Sequence, residues 1–321
     1  MAKYKDIKGT NVLNVDADPS NPVEGQVWYN RSSRILKAFR LTATASYASI
    51  PALNTPRSAM ATGGAGDVTA GLVYGGWPAT NQADSEEFDG TSWSASPDLN
   101  VGTGYAAGFG TQTAAVMSQG QNSTPPPEAR RNIVEEYDGS SWTSVTAAPY
   151  TATYLAGAGV LTAGIVAGGV SGGYLTTAIE YDGTNWTSAT AVPATVNYHC
   201  ACGTQTAALF GGSQVTTPNQ FFEYDGSSWT AGGTLPNAQY SKSMTGIQTN
   251  AIYIGKGSSS NETGEYDGST WTDGASVPYA HGTGAAGGNT AAGENTFIVA
   301  GTNAAKYQLA GVPETVSIDV D

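Results

Sequence analysis

The side chains best suited to metal chemistry are His199, Cys200 and Cys202, which lie within four consecutive positions. Imidazole and thiolate groups are common ligands of zinc and related metals. On a β-strand, however, neighbouring side chains point to opposite faces, so His199 and Cys200 cannot share a metal ion without a bulge. Cysteines two residues apart on one strand also have poor geometry for a disulfide bond. We therefore expect no metal site, no cofactor and two small buried cysteines.

A second set of reactive groups repeats along the chain in the motifs EFDGTSW, EYDGSSW, EYDGTNW, EYDGSSW and EYDGSTW. A single catalytic site is not built from five similar carboxylate pairs at regular intervals, although a calcium or catalytic role stays open. We expect each aspartate to cap a hairpin turn and each glutamate to face solvent on an outer strand. The aspartates are Asp89, Asp138, Asp182, Asp225 and Asp267.

The motifs belong to a longer repeat that predicts four short strands per unit. An apolar strand that ends in glycine precedes each motif, and a Gly/Ala-rich strand with a tight turn such as GTQT comes before it. Small residues suit crowded inner strands, Asp-Gly favours a tight hairpin, and tryptophan fills the space between sheets. A period in the forties is typical of β-propellers. The motifs end at Trp93, Trp142, Trp186, Trp229 and Trp271, at spacings of 49, 44, 43 and 42.

The Gly-Gly pair, the tyrosine and the tryptophan at these intervals resemble kelch repeats over about residues 57–310. The resemblance implies an all-β fold, a six-bladed kelch-like β-propeller in which each four-stranded sheet is one blade. The last unit lacks the tryptophan motif, and we expect the hairpin of residues 27–39 to complete it. Five blades, or closure by the C-terminal run of Val316, Ile318 and Val320, are the alternatives.

The first 40 residues form a distinct segment, with 7 basic and 4 acidic residues, whereas residues 41–321 carry a net charge of −16. The stretch GTNVLNVDADPSNPVEGQVWYNRSSRILK resembles a leader of structural proteins in tailed, especially marine, bacteriophages. The blades look like those of kelch-type proteins from similar phages. The resemblance implies an N-terminal attachment segment, residues 1–40, and a propeller, residues 41–321. The expected attachment residues are Trp28, Tyr29, Arg31 and Arg34.

Composition excludes several classes of function. A net charge of −13 disfavours binding to nucleic acid and to anionic membranes. The chain has no run of about 18 apolar residues for a membrane span and no apolar secretory signal at its start. The ligands of copper-radical oxidases, the arginine triad of sialidases, the nucleophile elbow and the phosphate loops are all missing. We therefore expect a protein that is not an enzyme.

A binding surface is expected on the face that carries the variable loops, because recognition usually resides in loops on a rigid frame. The second unit has an insertion on this face, QNSTPPPEARRN. Aligned tyrosines surround the expected channel mouth and could stack on sugar rings, or they could only pack blade against blade with the hydroxyl at the rim. The candidate residues are Tyr105, Arg130, Arg131, Tyr150, Tyr154, Tyr198, His199, Tyr279 and His281.

Together these features predict a virion component, made in the host cytoplasm and located on the tail or tail fibre. It would contact other tail proteins through its N-terminal segment and bind a host-surface glycan through several copies. The alternative is a purely structural ring or decoration protein that contacts other virion proteins. A glycan-processing propeller enzyme is a more distant alternative.

Overall fold

The chain forms an all-β structure in two compact units. The computed structural model describes residues 12–20, 26–41, 46–60, 65–77, 83–122, 129–197, 200–213, 219–235, 243–256, 261–279, 285–287, 297–300, 303–308 and 313–318. All regular structure within these ranges is β-strand. One unit consists of residues 1–46 and 308–321, and the other of residues 47–307.

The strands are short, and most contain three to seven residues. In chain order they are β1 (Leu13–Val15), β2 (Val27–Asn30), β3 (Ile35–Leu41), β4 (Ser46–Ile50), β5 (Ala65–Asp67), β6 (Ala70–Tyr74), β7 (Ser85–Phe88), β8 (Trp93–Ser96), β9 (Ala107–Thr111), β10 (Ala114–Ser118), β11 (Gln121–Asn122), β12 (Ala129–Arg130), β13 (Val134–Tyr137), β14 (Trp142–Ser144), β15 (Ala156–Val160), β16 (Ala163–Ala167), β17 (Ala178–Tyr181), β18 (Trp186–Ala189), β19 (Cys200–Thr204), β20 (Ala207–Gly211), β21 (Gln220–Tyr224), β22 (Trp229–Thr234), β23 (Ser243–Ile247), β24 (Asn250–Lys256), β25 (Glu262–Tyr266), β26 (Trp271–Asp273), β27 (Ala285–Gly287), β28 (Phe297–Ala300), β29 (Asn303–Gln308) and β30 (Pro313–Ile318).

The first unit is built on one sheet with the strand order β1-β2-β3-β30. β2 and β3 form an antiparallel hairpin, β1 is parallel to β2, and β30 is antiparallel to β3. The buried Trp28 donates from Nε1 to Asp18 Oδ1 at 2.9 Å. Asp18 also accepts from Asn30 Nδ2 at 2.8 Å and from Lys37 Nζ at 2.6 Å. This one carboxylate therefore ties the segment before β2 to both strands of the hairpin.

The pairing of this hairpin differs from the expectation that residues 27–39 complete the last blade. β3 pairs with β30, and the last sheet of the second unit takes β4 as its outer strand. Because β30 already satisfies the open edge of β3, that edge is not available to another sheet. The C-terminal run likewise pairs in the first unit, so residues 308–321 lie outside the unit that contains the repeats.

In its described residues the second unit contains six four-stranded sheets, referred to below as the first to the sixth in chain order. Strands that are consecutive within a sheet pair antiparallel wherever their register is defined. This set of small antiparallel sheets is consistent with a β-propeller-like fold. The sheets are β5-β6-β7-β8, β9-β10-β13-β14, β15-β16-β17-β18, β19-β20-β21-β22, β23-β24-β25-β26 and β27-β28-β29-β4.

The innermost strands consist of small residues because they pack against one another. β5 contacts β9, and in the same way β9 contacts β15, β15 contacts β19, β19 contacts β23, β23 contacts β27, and β27 contacts β5. A Cβ atom at Gly157 in β15 would lie only 2.9 Å from the ring of Phe109 in β9. The Gly/Ala-rich sequences are therefore a requirement of close approach between sheets.

Each Asp-Gly motif forms the turn between the third and fourth strands of its sheet. Asp225 Oδ1 accepts from the backbone N–H of Ser227 at 2.8 Å and of Ser228 at 2.7 Å, and Gly226 has a φ of 92°. These contacts satisfy backbone donors that the turn leaves without a strand partner. The same contacts occur at Asp89, Asp138, Asp182 and Asp267.

The motif tryptophans stack on the aromatic residue of their own hairpin. The ring centroids of Tyr181 and Trp186 are 4.6 Å apart, and Trp186 Nε1 donates to Thr146 O at 3.1 Å, just after the second sheet. Trp229 makes the matching contact to Thr190 O at 2.7 Å. These two tryptophans thus connect their hairpins to the preceding sheet. Trp93, Trp142 and Trp271 are buried, whereas Trp186 and Trp229 are half-buried.

The motif glutamates do more than face solvent, which corrects our expectation for them. Each is half-buried and accepts a hydrogen bond from a tyrosine hydroxyl of the next sheet. A tyrosine therefore stacks within its own hairpin and bonds to the sheet before it. The pairs are Tyr137 with Glu87, Tyr181 with Glu136, Tyr224 with Glu180, Tyr266 with Glu223, and Tyr307 with Glu265, with O–O distances of 2.5 to 2.8 Å.

Candidate binding site

The junction between the second and third sheets carries the insertion of the second unit. The β11-β12 hairpin extends the connection from β10 to β13, and it places Arg130 at the end of β12 and Arg131 directly after it. Gly120 N donates to Ala152 O at 2.9 Å, and Arg131 N donates to Gly120 O at 2.9 Å. The described residues of the insertion are thereby held between the end of β10 and the segment that enters β15.

Gln119 has a backbone conformation that glycine adopts in other sheets. Its φ is 63°, and the φ values of Gly75 and Gly168 at the equivalent positions are 64° and 68°. A residue with a side chain in this region costs on the order of 1 kcal/mol, so it persists only where its surroundings hold it. The buried Gln119 Nε2 donates to Tyr150 O at 2.8 Å. This amide ties the end of β10 to the loop before β15.

Tyr105 and Tyr154 share a second left-handed backbone position, with φ values of 55° and 59°. Ala59, which leads to the first sheet, has a φ of 52°. Tyr105 N donates to Ala59 O at 3.0 Å, and Tyr154 N donates to Tyr105 O at 2.9 Å, so backbone bonds run from sheet to sheet. The two half-buried tyrosine rings are 4.5 Å apart between centroids, at an interplanar angle of 55°. They form one partly exposed aromatic surface.

A third tyrosine on the same side of the junction, Tyr174, was missed by the sequence analysis. Its side chain is 52% exposed, which is high for an aromatic residue. Val170 pairs with Thr153 on one side and with Tyr174 on the other, so Tyr174 lies about two strand spacings from the chain that leads into Tyr154. The signal for it was the Ser-Gly-Gly-Tyr sequence in the loop between β16 and β17.

Several buried polar atoms at this junction have no hydrogen-bond partner. These atoms are Ser118 Oγ, Thr153 Oγ1 and Arg131 Nε. The Tyr150 hydroxyl and Gln119 Oε1 are also buried without a hydrogen-bond partner. Burial raises the pKa of Tyr150 to about 12, so the hydroxyl stays protonated at neutral pH. Buried polar groups normally have partners, so this cluster is unusual.

Two positive charges of the junction are not neutralised. Arg130 is exposed and Arg131 is half-buried, and neither forms an ion pair within the described part of the chain. Arg57, by contrast, is buried in an ion pair with Glu86 of the first sheet, with a distance of 2.7 Å between Nη2 and Oε1. Arg57 is therefore structural, whereas Arg130 and Arg131 are available to a ligand.

Tyr279, another predicted rim residue, does not join this junction. The Tyr279 hydroxyl donates to Ile298 O at 2.9 Å, and burial raises its pKa, which places Tyr279 in the packing between strands. The hydroxyl is bonded to the sixth sheet, which Tyr279 precedes in the chain, rather than free at a rim. Tyr198, His199 and His281 lie outside the described residues.

Cys200 and Cys202 are buried free thiols in β19. Burial raises the pKa of both thiols, so they are protonated core residues rather than reactive thiolates. Among the residues that the structure describes, no three His, Cys, Asp or Glu side chains are grouped to hold a metal ion.

The expected attachment residues lie together on the β2-β3 hairpin. Trp28 is buried and Tyr29 is half-buried. Arg31 Nε forms an exposed ion pair with Asp16 Oδ1 at 2.9 Å. Arg34 is exposed in the turn with a φ of 60°. Trp28 therefore supports the hairpin, and the surface available to a partner consists of Arg31, Arg34 and part of Tyr29.

A cavity of about 250 Å³ opens at the opposite ends of the inner strands, between the β5-β6 and β9-β10 turns. The only amide side chain in its lining is Gln112, and its Nε2 donates to Gly71 O at 3.1 Å and to Phe88 O at 2.9 Å. Since this donor is already used to join the first and second sheets, the cavity offers few groups that could select a ligand.

In the ranges that the structure covers, no helix is long and apolar enough to cross a membrane. No protein-family model matches the chain, and no curated protein sequence matches it at a significant level.

Proposed function

We propose that the chain is a non-enzymatic tail or tail-fibre component of a virion, which recognises a host-surface glycan through the variable face of a six-bladed propeller. The observation that supports this most is the junction between the second and third sheets. Aromatic rings, unpaired arginines and unpartnered polar atoms converge there on a rigid β frame. Sugars offer apolar faces for stacking and hydroxyl groups for hydrogen bonds.

Closure of six kelch-like blades into one ring is supported by a break in the tyrosine-to-glutamate pattern. At the position of the motif glutamate the sixth sheet has Lys306, and at the position of the partner tyrosine the first sheet has Phe88. The two exceptions are the two residues that would face each other if the sixth sheet preceded the first. Trp93 of the first sheet contacts Phe297 of the sixth, with ring centroids 5.9 Å apart.

Attachment through the first unit is supported by its separate sheet and by its exposed arginines. Several copies on one particle would turn weak individual binding into stable adsorption.

Mass spectrometry of purified particles tests the location. We expect the chain at a fixed copy number, and its absence would contradict the virion assignment. Chemical labelling of tyrosine on intact particles then tests the role. Labelling of Tyr174 supports an outward-facing recognition surface, whereas protection of Tyr174 on the particle and labelling of the free chain would favour a purely structural ring or decoration protein.

A further inference from the structure

We propose that the junction between the second and third sheets binds an acidic saccharide, with a sugar ring on the tyrosines and its carboxylate or sulfate on Arg131 and Arg130. This inference rests on the proposed recognition function and names the class of glycan for that same site.

The tyrosine cluster supplies a stacking surface of the right kind. Tyr105 and Tyr154 are in ring contact, half-buried, and fixed by backbone hydrogen bonds between sheets. Tyr174 is 52% exposed and lies about two strand spacings from the chain that leads into Tyr154. Rigid aromatic residues bind with little loss of side-chain entropy, because only two torsion angles have to be ordered.

The arginines favour a negatively charged ligand. Residues 41–321 contain only 6 basic side chains against 22 acidic ones, and two of the six are the adjacent Arg130 and Arg131. Both guanidinium groups lack a carboxylate partner in the described structure. Guanidinium binds carboxylate and sulfate through two parallel hydrogen bonds. In a chain of net charge −13, unpaired arginines on a binding face therefore have a selective role.

The unpartnered polar atoms favour a ligand rich in hydroxyl groups. Ser118 Oγ and Thr153 Oγ1 are buried next to the backbone contacts that join Gly120 to Ala152. A buried polar group without a partner costs about 1–3 kcal/mol. Because both side chains are buried, an ordered water molecule that also binds a saccharide hydroxyl group can supply these partners. Arg131 Nε is also buried and without a partner, and Arg131 pairs with Ala152, the residue before Thr153.

Isothermal titration of the full chain with matched polysaccharides tests the proposal. The probes are oligogalacturonate, its carboxyl-reduced neutral counterpart, a sulfated galactan oligosaccharide and polysaccharide extracted from the host surface. We expect the host polysaccharide and at least one acidic probe to bind, the acidic probe at least tenfold more tightly than its neutral counterpart. Raising the salt concentration should weaken acidic binding and leave neutral binding nearly unchanged.

Variants separate the two parts of the site. Arg131→Gln should remove the preference for the acidic probe. Tyr154→Gly should weaken every probe, and glycine suits the backbone at φ 59° so that the fold is kept. Ala59→Gly is the matched control, because it changes the same backbone position where no ring is present. We expect it to bind as the wild type does.

The outcomes distinguish the inference from the function on which it rests. Equal binding of acidic and neutral probes, with Arg131→Gln unchanged, would overturn the acidic class and leave glycan recognition standing. Absence of binding to every probe, including the host polysaccharide, would overturn both. Binding that Tyr154→Gly leaves intact would place the site elsewhere and overturn the assignment to this junction.

Discussion

At the scale of single residues, one side chain often serves two sheets. Tyr181 stacks on Trp186 of its own hairpin and donates its hydroxyl to Glu136 Oε1 of the preceding sheet at 2.7 Å. Burial, followed by the nearby Glu136 carboxylate, raises the pKa of the Tyr181 hydroxyl, so it remains a donor at neutral pH. The repeated tyrosines therefore connect neighbouring sheets as well as filling space.

Removing this hydroxyl tests the connection. Tyr181→Phe should lower the free energy of unfolding by about 1 kcal/mol, because the ring stays in place and one hydrogen bond to a partly exposed carboxylate is lost. Urea denaturation measures the change. Tyr174→Phe is the control, since the exposed Tyr174 makes no such bond, and it should leave the midpoint unchanged. An equal effect of both substitutions would contradict the assignment.

The turn aspartates predict a loss of stability in acid. Hydrogen bonds from the side chain of Thr91 and the backbones of Ser92 and Thr91 lower the pKa of Asp89 from 3.8 to about 2. A lowered pKa in the folded state stabilises the fold above pH 3.8, and that contribution disappears as the pH falls towards 2. Asp89→Asn keeps an acceptor but removes the titration. The difference in urea midpoint between wild type and Asp89→Asn should therefore shrink between pH 4 and pH 2, and a constant difference would contradict this origin.

At the scale of elements, the residue that follows the second strand of each sheet is of a different type in the second sheet. Gly75 and Gly168 end their strands in the left-handed region, whereas Gln119 does so with a buried side chain. The strain at Gln119 is balanced by its hydrogen bond to the Tyr150 carbonyl. The departure of Ser118-Gln119-Gly120 from the Gly-Gly pattern is thus a local specialisation of the candidate site.

Gln119→Gly tests whether that side chain serves binding rather than folding. Relief of backbone strain stabilises the variant and loss of one hydrogen bond destabilises it, each by about 1 kcal/mol. The free energy of unfolding should therefore stay within about 1 kcal/mol of the wild type. Saccharide binding should weaken, because the loop before β15 loses its hydrogen bond from the Gln119 side chain.

Gly120→Ala is the contrast: its φ is 97°, and the added Cβ would lie 2.6 Å from Thr103 Cγ2. We expect a clear loss of stability from it. Calorimetric unfolding and titration read out both properties, and unchanged binding in Gln119→Gly would contradict the role.

Short sequence motifs predict much of the repeat. The features that they did not predict depend on contacts between residues far apart in the chain. Asp225-Gly226 and Trp229 belong to one hairpin, so their spacing already predicts the turn. Glu136 and Tyr181 are 45 residues apart, and no local signal joins them. β4 has no motif at all, because an outer strand needs only an available edge to pair with. At the candidate site, aligned tyrosines pointed to Tyr105 and Tyr154, whereas Tyr174 depended on a loop conformation.

At the scale of the whole molecule, the proposed ring depends on contact between the sixth and first sheets. Every other neighbouring pair has a tyrosine and a glutamate, and this one has Phe88 and Lys306. Aromatic packing replaces the hydrogen bond, since Phe88 contacts Trp93 and Trp93 contacts Phe297. In the described structure, the interface between the sixth and first sheets therefore differs in chemistry from the other five, and it would be the seam of the proposed ring.

A double-mutant cycle at the seam tests closure. Phe88→Tyr and Lys306→Glu should each be neutral or destabilising alone, since each leaves a polar group without its partner. Together they restore the repeated pair, and we expect a favourable coupling of about 1 kcal/mol in urea denaturation. If residues 88 and 306 do not face each other, the two substitutions should show no coupling. A coupling of zero would therefore contradict the closed six-bladed ring.

Equilibrium binding to host cells tests whether the junction between the second and third sheets recognises a surface glycan. Fluorescently labelled full chain would be titrated onto the cells, with Tyr154→Gly and Ala59→Gly measured in parallel. We expect saturable binding that Ala59→Gly retains and that Tyr154→Gly weakens at least tenfold. Absence of saturable binding, or equal binding by all three proteins, would contradict the account.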